Sequence, residues 1–308
     1  MDPSPQSRHA HGLAYSAAGM IVISPDALLL RLIRDADVWE IIFYRSLLTW
    51  LSLAVLLTFR YRGRLFGLWR GAGRAGAASA VLMGVSNFAF VGAILNTTVA
   101  NTLVIIATMP LFAAVLGWLL IRERVRLRTW IAISVAFSGI VVIFAESLGT
   151  GNWIGDLMAM TAALMQALNL VILRTTGPRD MSGAVCLSGF AGAALLLPFA
   201  SPAAVGAHDL GILALLGLVV LPLALTLFIA GARTAPAAEV ALMALLETVL
   251  GPLWAWLGVG EVPSVRALAG GALVLGAILA NALLALREGR SGQWRLRLDA
   301  DKRSPRMP

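Results

Sequence analysis

Several residue types that catalysis and metal binding require are scarce in this chain. Its one cysteine, Cys186, excludes an intramolecular disulfide, and its three histidines, His9, His11 and His208, lie in predicted tails or loops. The chain therefore lacks the parts of a Ser-His nucleophile or a His-ligated metal centre. The only lysine, Lys302, is followed by an arginine, which excludes a P-loop, where Ser or Thr follows the lysine. We expect no enzyme activity, no metal and no cofactor.

Charged residues are also scarce. They make up 13% of the chain, whereas 59% is hydrophobic and the mean hydropathy is +0.85. One soluble core could not bury so much apolar surface. The net charge of +8 does not indicate nucleic acid as a partner, because the basic residues form short clusters between apolar runs. The composition predicts an all-α membrane protein.

Ten apolar segments are long enough, at roughly 20 residues each, to cross a bilayer as helices. Their approximate bounds are 12–33, 38–59, 73–95, 98–121, 128–146, 152–174, 181–201, 209–232, 236–258 and 264–287. The first segment is too long for a cleaved signal peptide and is expected to remain as a span. Residues 1–11 and 288–308 are predicted to be cytoplasmic tails, either disordered or lying at the membrane surface.

The positions of Lys and Arg predict how the spans are oriented. With the N-terminus inside the cell, nearly all of the 24 Lys and Arg residues fall in cytoplasmic segments, and only Arg31, Arg34 and Arg266 fall outside. Cytoplasmic loops of membrane proteins carry an excess of basic residues. Both termini are therefore predicted to be cytoplasmic.

The chain also contains a tandem repeat. Sliding the sequence against itself by about 138 positions, or about 143 in the earlier part of each half, aligns residues of rare types. The aligned pairs include Trp118 with Trp256, Glu123 with Glu261, Arg128 with Arg266 and Arg31 with Arg174. We therefore predict two units, 12–146 and 152–287.

Each unit has five spans, and this odd number turns the second unit upside down in the membrane relative to the first. Glu123 then lies at the inner surface and Glu261 at the outer surface. Inverted repeats are a recurrent device of secondary transporters, which bind substrate near the midplane between the repeats. The sequence predicts ten transmembrane helices in two inverted five-helix repeats. It also predicts alternating access by a monomer whose partners are a small-molecule substrate and the lipid bilayer.

Two features of the repeats resemble a known family. In each unit the fourth span ends in an apolar run and a glutamate, and in the first unit the second span carries an arginine. The segments are Met109-Pro110 to Glu123, Thr248 to Glu261, and Phe43-Tyr44-Arg45. This pattern resembles the EamA type of the drug/metabolite transporter superfamily. The resemblance, which extends to the bacterial exporters of aromatic amino acids, implies amino-acid export across a bacterial inner membrane. The alternative is export of multiple drugs or quaternary-ammonium cations.

Polar side chains inside the spans are the candidate functional residues, because an ionised one costs roughly 2.5 to 3.5 kcal/mol at a helix centre. Glu247 would meet a substrate ammonium or carry a proton; the alternative is a structural glutamate, protonated or hydrogen-bonded between helices. Amides would offer donors and acceptors to a zwitterion, and methionines an adaptable apolar wall; helix packing is the alternative for both. The residues predicted to bind substrate are Asn87, Gln166, Asn169, Glu247, Met83 and Met243.

Five further residues are predicted to act in gating or coupling. Asp26 and Arg45 lie at similar depth on neighbouring spans and form either a structural ion pair or an outer gate. Pro25 should kink the first span. Asn101 and Glu239 occupy equivalent positions at opposite membrane faces, where gating or helix capping is expected.

Two more patterns concern packing and the loops. Glu123 with Arg128, and Glu261 with Arg266, are read as loop ion pairs of little energetic value or as a state-dependent latch. Small residues at four-residue steps around Gly84 and Gly276 are expected to allow close helix approach.

Overall fold

The computed structural model describes residues 5–60, 65–123, 125–175, 182–201, 205–232 and 237–303. In these ranges the regular structure is entirely helical. The helices are α1 Pro5–Ile23, α2 Asp26–Arg31, α3 Val38–Arg60, α4 Leu65–Asn96, α5 Val99–Ala107, α6 Met109–Ile121, α7 Leu127–Thr150, α8 Trp153–Thr175, α9 Ser182–Leu196, α10 Ala207–Ala214, a π-helical segment Leu215–Val220, α11 Leu221–Ala232, α12 Ala237–Val259 and α13 Val265–Arg303.

Within the described residues, nine helical segments are long and apolar enough to cross a membrane. They are His11–Arg31, Val38–Phe59, Gly73–Asn96, Val99–Ile121, Leu127–Thr150, Trp153–Leu173, Ala207–Gly231, Leu242–Val259 and Val265–Leu284. A shorter apolar helix, Cys186–Leu196, lies where the seventh span is predicted. The prediction of an all-α membrane protein with ten transmembrane helices in two halves is confirmed.

Three spans are interrupted near a proline, which cannot donate a backbone hydrogen bond and clashes with the preceding turn. The first breaks at Ser24 and Pro25, between α1 and α2, as the sequence predicts. The fourth breaks at Thr108, and Pro110 then occupies the first turn of α6. The π-helical turn in the eighth span comes immediately before Pro222. In contrast, α12 runs without interruption through Pro252.

Helices of the first half pack mainly against helices of the second. The closest neighbours are α4 with α8 and α9, α1 with α11, and α7 with α13. Gly139 on α7 and Gly270 on α13 face each other so closely that a Cβ on Gly139 would lie 2.6 Å from the Gly270 carbonyl oxygen. The close approach predicted at Gly84 and Gly276 is wrong, because no atom lies within 4 Å of a Cβ built at either position.

The helices also extend beyond the predicted spans. Helix α13 continues from the last span to Arg303, and α1 begins at Pro5. Residues 288–303 are therefore helical rather than disordered, and the alternative, a cytoplasmic tail that lies at the membrane surface, stays a prediction. This stretch contains no proline before Pro305, so nothing in it stops a helix that has already begun.

Candidate functional site

One group of charged residues within the spans lies around Arg45 on α3. Its guanidinium donates to both carboxylate oxygens of Asp26, each at 2.7 Å, and both side chains are buried. The ring of Phe90 lies 5.2 Å from the guanidinium carbon, in a cation–π contact. The break at Pro25 places Asp26 in the first turn of α2. The ion pair expected from the sequence is present, and its two charges neutralise each other.

Glu247 on α12 adds one unbalanced charge to this pair. It lies within electrostatic range of both Asp26 and Arg45. Its side chain is partly buried, and among the described residues it has no hydrogen-bond or salt-bridge partner. The three groups together carry a net charge of −1 when ionised. An intramembrane carboxylate without a partner attracts a cation or a proton.

Three other predicted residues are connected to this charged group by a hydrogen bond to its neighbour or by a shared helix face. The Asn87 amide on α4 is 3.5 Å from the hydroxyl of Ser46, the residue after Arg45. Met83 precedes Asn87 by four residues and Met243 precedes Glu247 by four, so each methionine shares a helix face with its polar partner. Both methionines are partly buried. The arrangement combines charges, an amide and apolar side chains, as sites for small organic molecules do.

Gln166 and Asn169 lie on α8, which packs against α4. The Ser86 hydroxyl donates to the Ala162 carbonyl at 3.2 Å and fixes α8 against α4 one turn before Gln166. Asn169 is buried, and its carbonyl oxygen has no hydrogen-bond partner among the described residues. The role of these two amides in substrate binding stays a prediction.

Asn101 and Glu239, the remaining predicted gating residues, are far from each other, as their repeat positions require. Asn101 is buried near the start of α5, where its amide is 3.4 Å from the carboxylate of Asp156. Glu239 lies in the first turn of α12, at the other end of that helix from Glu261. The end of the bundle that contains Arg31, Asn101 and Glu261 is called the Arg31 end below.

Glu261 joins the two halves at the Arg31 end. Its carboxylate is 3.1 Å from the guanidinium of Arg31 and also accepts a hydrogen bond from the backbone N–H of Val99 at the start of α5. Arg31 donates in addition to the carbonyl of Thr97. The predicted pairing of Glu261 with Arg266 is therefore wrong: Arg266 is exposed, and the packing of the two halves brings Arg31 closer.

Two buried carboxylates at this end were not singled out from the sequence. Asp156 on α8 is fully buried and accepts a hydrogen bond from Thr97 at 2.6 Å. Asp209 on α10 is 1% exposed and accepts from the backbone N–H groups of three consecutive residues, 34–36, at 2.8–3.1 Å. Both are acidic residues in the first turn of a span, a place where helices ordinarily carry solvated carboxylates. Their burial depends on tertiary contacts.

A cleft of about 400 Å³ opens beside the Arg31–Glu261 pair. Asn96, Asn152 and Val259 contribute to its wall. None of the six residues predicted to bind substrate lines this cleft.

The fold and its intramembrane charges define a multi-pass membrane protein. The family model described as "EamA-like transporter family" matches the chain twice, over residues 12–145 and 153–283. The chain therefore belongs to the EamA-like transporter family, and it is a membrane transporter of small molecules.

Comparisons with individual proteins add information on the fold alone. No curated protein sequence matches the chain. A solved structure titled "Crystal structure of protein" is similar to it, with a TM-score of 0.65 at 15% sequence identity. The match covers 90% of this chain and 98% of the other.

Proposed function

We propose that this transporter exports amino acids, preferably aromatic or otherwise apolar ones. The observation that carries the proposal is the opposite charge of Arg45 and Glu247, which lie within electrostatic range of each other on helices of different halves. An amino acid presents a carboxylate and an ammonium, which match a guanidinium and a carboxylate respectively. A substrate carboxylate would compete with Asp26 for Arg45, while its ammonium pairs with Glu247.

The surroundings of the charges favour an apolar substrate side chain. The Phe90 ring lies over Arg45, and Met83 and Met243 share helix faces with Asn87 and Glu247. Aromatic rings and methionines bury apolar groups of varied shape. The Asn87 amide supplies both a donor and an acceptor.

The proposed mechanism is alternating access across a bacterial inner membrane. With both termini in the cytoplasm, as the arginine distribution favours, the Arg31 end faces the outside. The Arg31–Glu261 salt bridge and the Glu146–Ser264 hydrogen bond, 2.6 Å long, join the halves there. In this arrangement the outer end is closed, and breaking these contacts would open it. Export needs both arrangements in turn.

A multidrug or quaternary-ammonium exporter is the second candidate. The carboxylate of Glu247 is enough to attract a lipophilic cation, since Asp26 already neutralises Arg45. Such a substrate needs no partner for Arg45. The two candidates therefore differ in whether an Arg45 substitution impairs substrate binding directly.

The test is flux into proteoliposomes that contain the purified chain. Labelled tryptophan, phenylalanine, methionine and threonine, and a quaternary-ammonium dye, are followed with and without an imposed pH gradient. We expect saturable flux of tryptophan and phenylalanine. If Glu247 pairs with the substrate ammonium, Glu247→Gln lowers flux both with and without the gradient. If Glu247 instead carries the coupling proton, the substitution abolishes gradient-driven flux and leaves exchange intact. Flux of the dye alone would favour the second candidate, and flux of no solute would contradict both.

The matched control is Asp35→Asn, which removes an acidic charge at an exposed loop position. Asp35 contributes its backbone N–H, not its side chain, to the contact with Asp209. This variant should transport as the unmodified chain does. An equal loss of flux in both variants would show that Glu247 has no special role.

A further inference from the structure

A second polar group, distinct from the charges around Arg45, lies at the Arg31 end. It consists of Thr97, Asn101, Ser147 and Asp156, each at most 5% exposed, and is called the Asp156 cluster. Thr97 donates to Oδ1 of Asp156 at 2.6 Å. The Asn101 amide nitrogen lies 3.3–3.4 Å from an oxygen of each of the other three. Residues of α5, α7 and α8 and of the α4–α5 loop thus meet at one point.

A glycine allows these four segments to come so close together. A Cβ on Gly155 would lie 2.6 Å from the carbonyl carbon of Asn96 and from the amide nitrogen of Thr97, so only glycine allows α8 to approach so closely. Asp156, the next residue, is thereby placed against the Thr97 hydroxyl. Its position in the first turn of α8 also favours a negative charge, because the helix dipole is positive there.

The Asp156 cluster contains two acceptors without a donor. Oδ2 of Asp156 and Oδ1 of Asn101 are buried, and neither has a hydrogen-bond partner among the described residues. Unsatisfied buried polar groups are rare in native proteins, and each calls for an explanation. Two such acceptors in one hydrogen-bonded group require a proton donor or a cation. Carboxylate, amide carbonyl and hydroxyl oxygens are the ligands that hard cations prefer.

We propose that the Asp156 cluster binds a sodium ion through the side-chain oxygens of its four residues. The cluster holds one carboxylate, which a monovalent cation neutralises. Glu146, whose charge acts on Asp156, accepts a hydrogen bond from Ser264 at 2.6 Å. Arg31, which donates to the Thr97 carbonyl, is paired with Glu261. The carboxylate of Asp156 therefore attracts a cation, and the positive charge of Arg31 is already neutralised by Glu261.

Sodium binding would also connect to the transport cycle. Asn101 and Ser147 belong to spans of the first half, Thr97 to the loop between two of these spans, and Asp156 to the first span of the second half. An ion that holds them together stabilises the closed arrangement of the Arg31 end, as any ligand stabilises the state that binds it. This consequence rests on the proposed function, whereas the binding of sodium does not.

The experiment measures the thermal unfolding of the purified full chain in detergent. Sodium chloride is titrated against potassium chloride and choline chloride at constant ionic strength and at two pH values. We expect the melting temperature to rise saturably with sodium and to stay flat with choline. Asp156→Asn, which keeps the shape of the side chain but removes its charge, should abolish the rise.

Two serine variants on α7 distinguish a loss of sodium binding from a general folding defect. Ser147→Ala removes one ligand and should raise the sodium concentration at half effect by about tenfold. Ser138→Ala, at an exposed position of α7, should leave it unchanged. The proposal is overturned if sodium and choline act alike, if only pH changes the melting temperature, or if Asp156→Asn keeps the sodium response. Because the readout is binding, its failure is distinguishable from a failure of the proposed transport.

Discussion

Arg31, at the end of α2, and Glu261, after the end of α12, form a 3.1 Å salt bridge that joins the two halves of the transporter. The same carboxylate accepts from the Val99 N–H, so one side chain holds both the first and the fourth span. Neither partner is fully exposed: Arg31 is 25% and Glu261 19% accessible. Solvent therefore screens this pair less than it screens an ordinary surface salt bridge.

Glu261→Gln should favour opening of the Arg31 end. The amide keeps an acceptor for Val99 but loses the charge that pairs with Arg31, a change on the order of 1–2 kcal/mol, or about 5- to 30-fold in an opening equilibrium. The measurement is the rate of maleimide labelling of a cysteine at Ala100, which is buried next to Val99, in a Cys186→Ala background. The matched control is Glu123→Gln, its repeat-mate at the other end, which should not accelerate labelling. Equal rates in Glu261→Gln and the parent would contradict the latch.

The buried pair of Asp26 and Arg45 should show strong coupling between its two residues. Removing one partner leaves a buried charge unpaired, which typically costs about 3–5 kcal/mol, whereas removing both does not. We expect Asp26→Asn and Arg45→Gln each to unfold at a lower temperature than the double variant. Thermal unfolding of the four proteins in detergent completes the double-mutant cycle. Additive losses would show that the ion pair contributes no coupling energy.

Crowding between α7 and α13 should make Gly139→Ala and Gly270→Ala destabilising. Each new methyl group would lie 2.6–2.7 Å from the opposing carbonyl oxygen, and overpacking of this kind typically costs about 1–3 kcal/mol. Gly276→Ala on the same α13 meets no atom within 4 Å and is the matched control. Retention of fluorescence by a C-terminal fusion on heating in detergent reports the difference. If Gly276→Ala is as damaging as the other two, contact with the opposing carbonyl oxygen is not the cause; helix propensity is not the cause either, because alanine favours a helix more than glycine does.

Much of the fold could be predicted from the sequence, because the length of an apolar run and the effect of a proline are local properties. The break at Pro25 and the pairing of Asp26 with Arg45 follow from single helices and from the depth of two opposite charges. The salt-bridge partner of Glu261 could not be predicted from the sequence. Arg266 is close to Glu261 along the chain, whereas Arg31 comes close to it only when the two halves pack together.

The same reason explains why the sequence did not predict which glycines pack against a neighbouring helix, or that the carboxylate of Asp156 is buried. Small residues at four-residue steps occur on several faces of these spans, and the pattern does not say which face meets a neighbour. Gly139 and Gly270 do so, and Gly84 and Gly276 do not. In the sequence Asp156 resembles any acidic residue at a helix start, and its burial depends on the close approach of Gly155 to the Thr97 backbone and on the side chains of Thr97 and Asn101.

The repeat adds a prediction about the opposite end of the bundle. Glu123 is the repeat-mate of Glu261, and Arg174 is the repeat-mate of Arg31. Under the proposed alternation, the two halves exchange roles between states, so Glu123 and Arg174 should approach each other when the Arg31 end opens. A Glu123→Cys/Arg174→Cys pair in the Cys186→Ala background tests this by oxidative cross-linking.

We expect Glu261→Gln to raise the cross-linking yield of this cysteine pair several-fold, because it shifts the population towards the open Arg31 end. A cysteine pair at Arg122 and Arg174 is the matched control, since Arg122 is not the repeat-mate of Glu261 and should cross-link less. If the cross-linking yield is the same with and without the Glu261 substitution, the two ends of the bundle open independently, which contradicts a shared two-state cycle. A yield that rises with the substitution would show that contacts 123–174 and 31–261 are alternatives, as an inverted repeat requires.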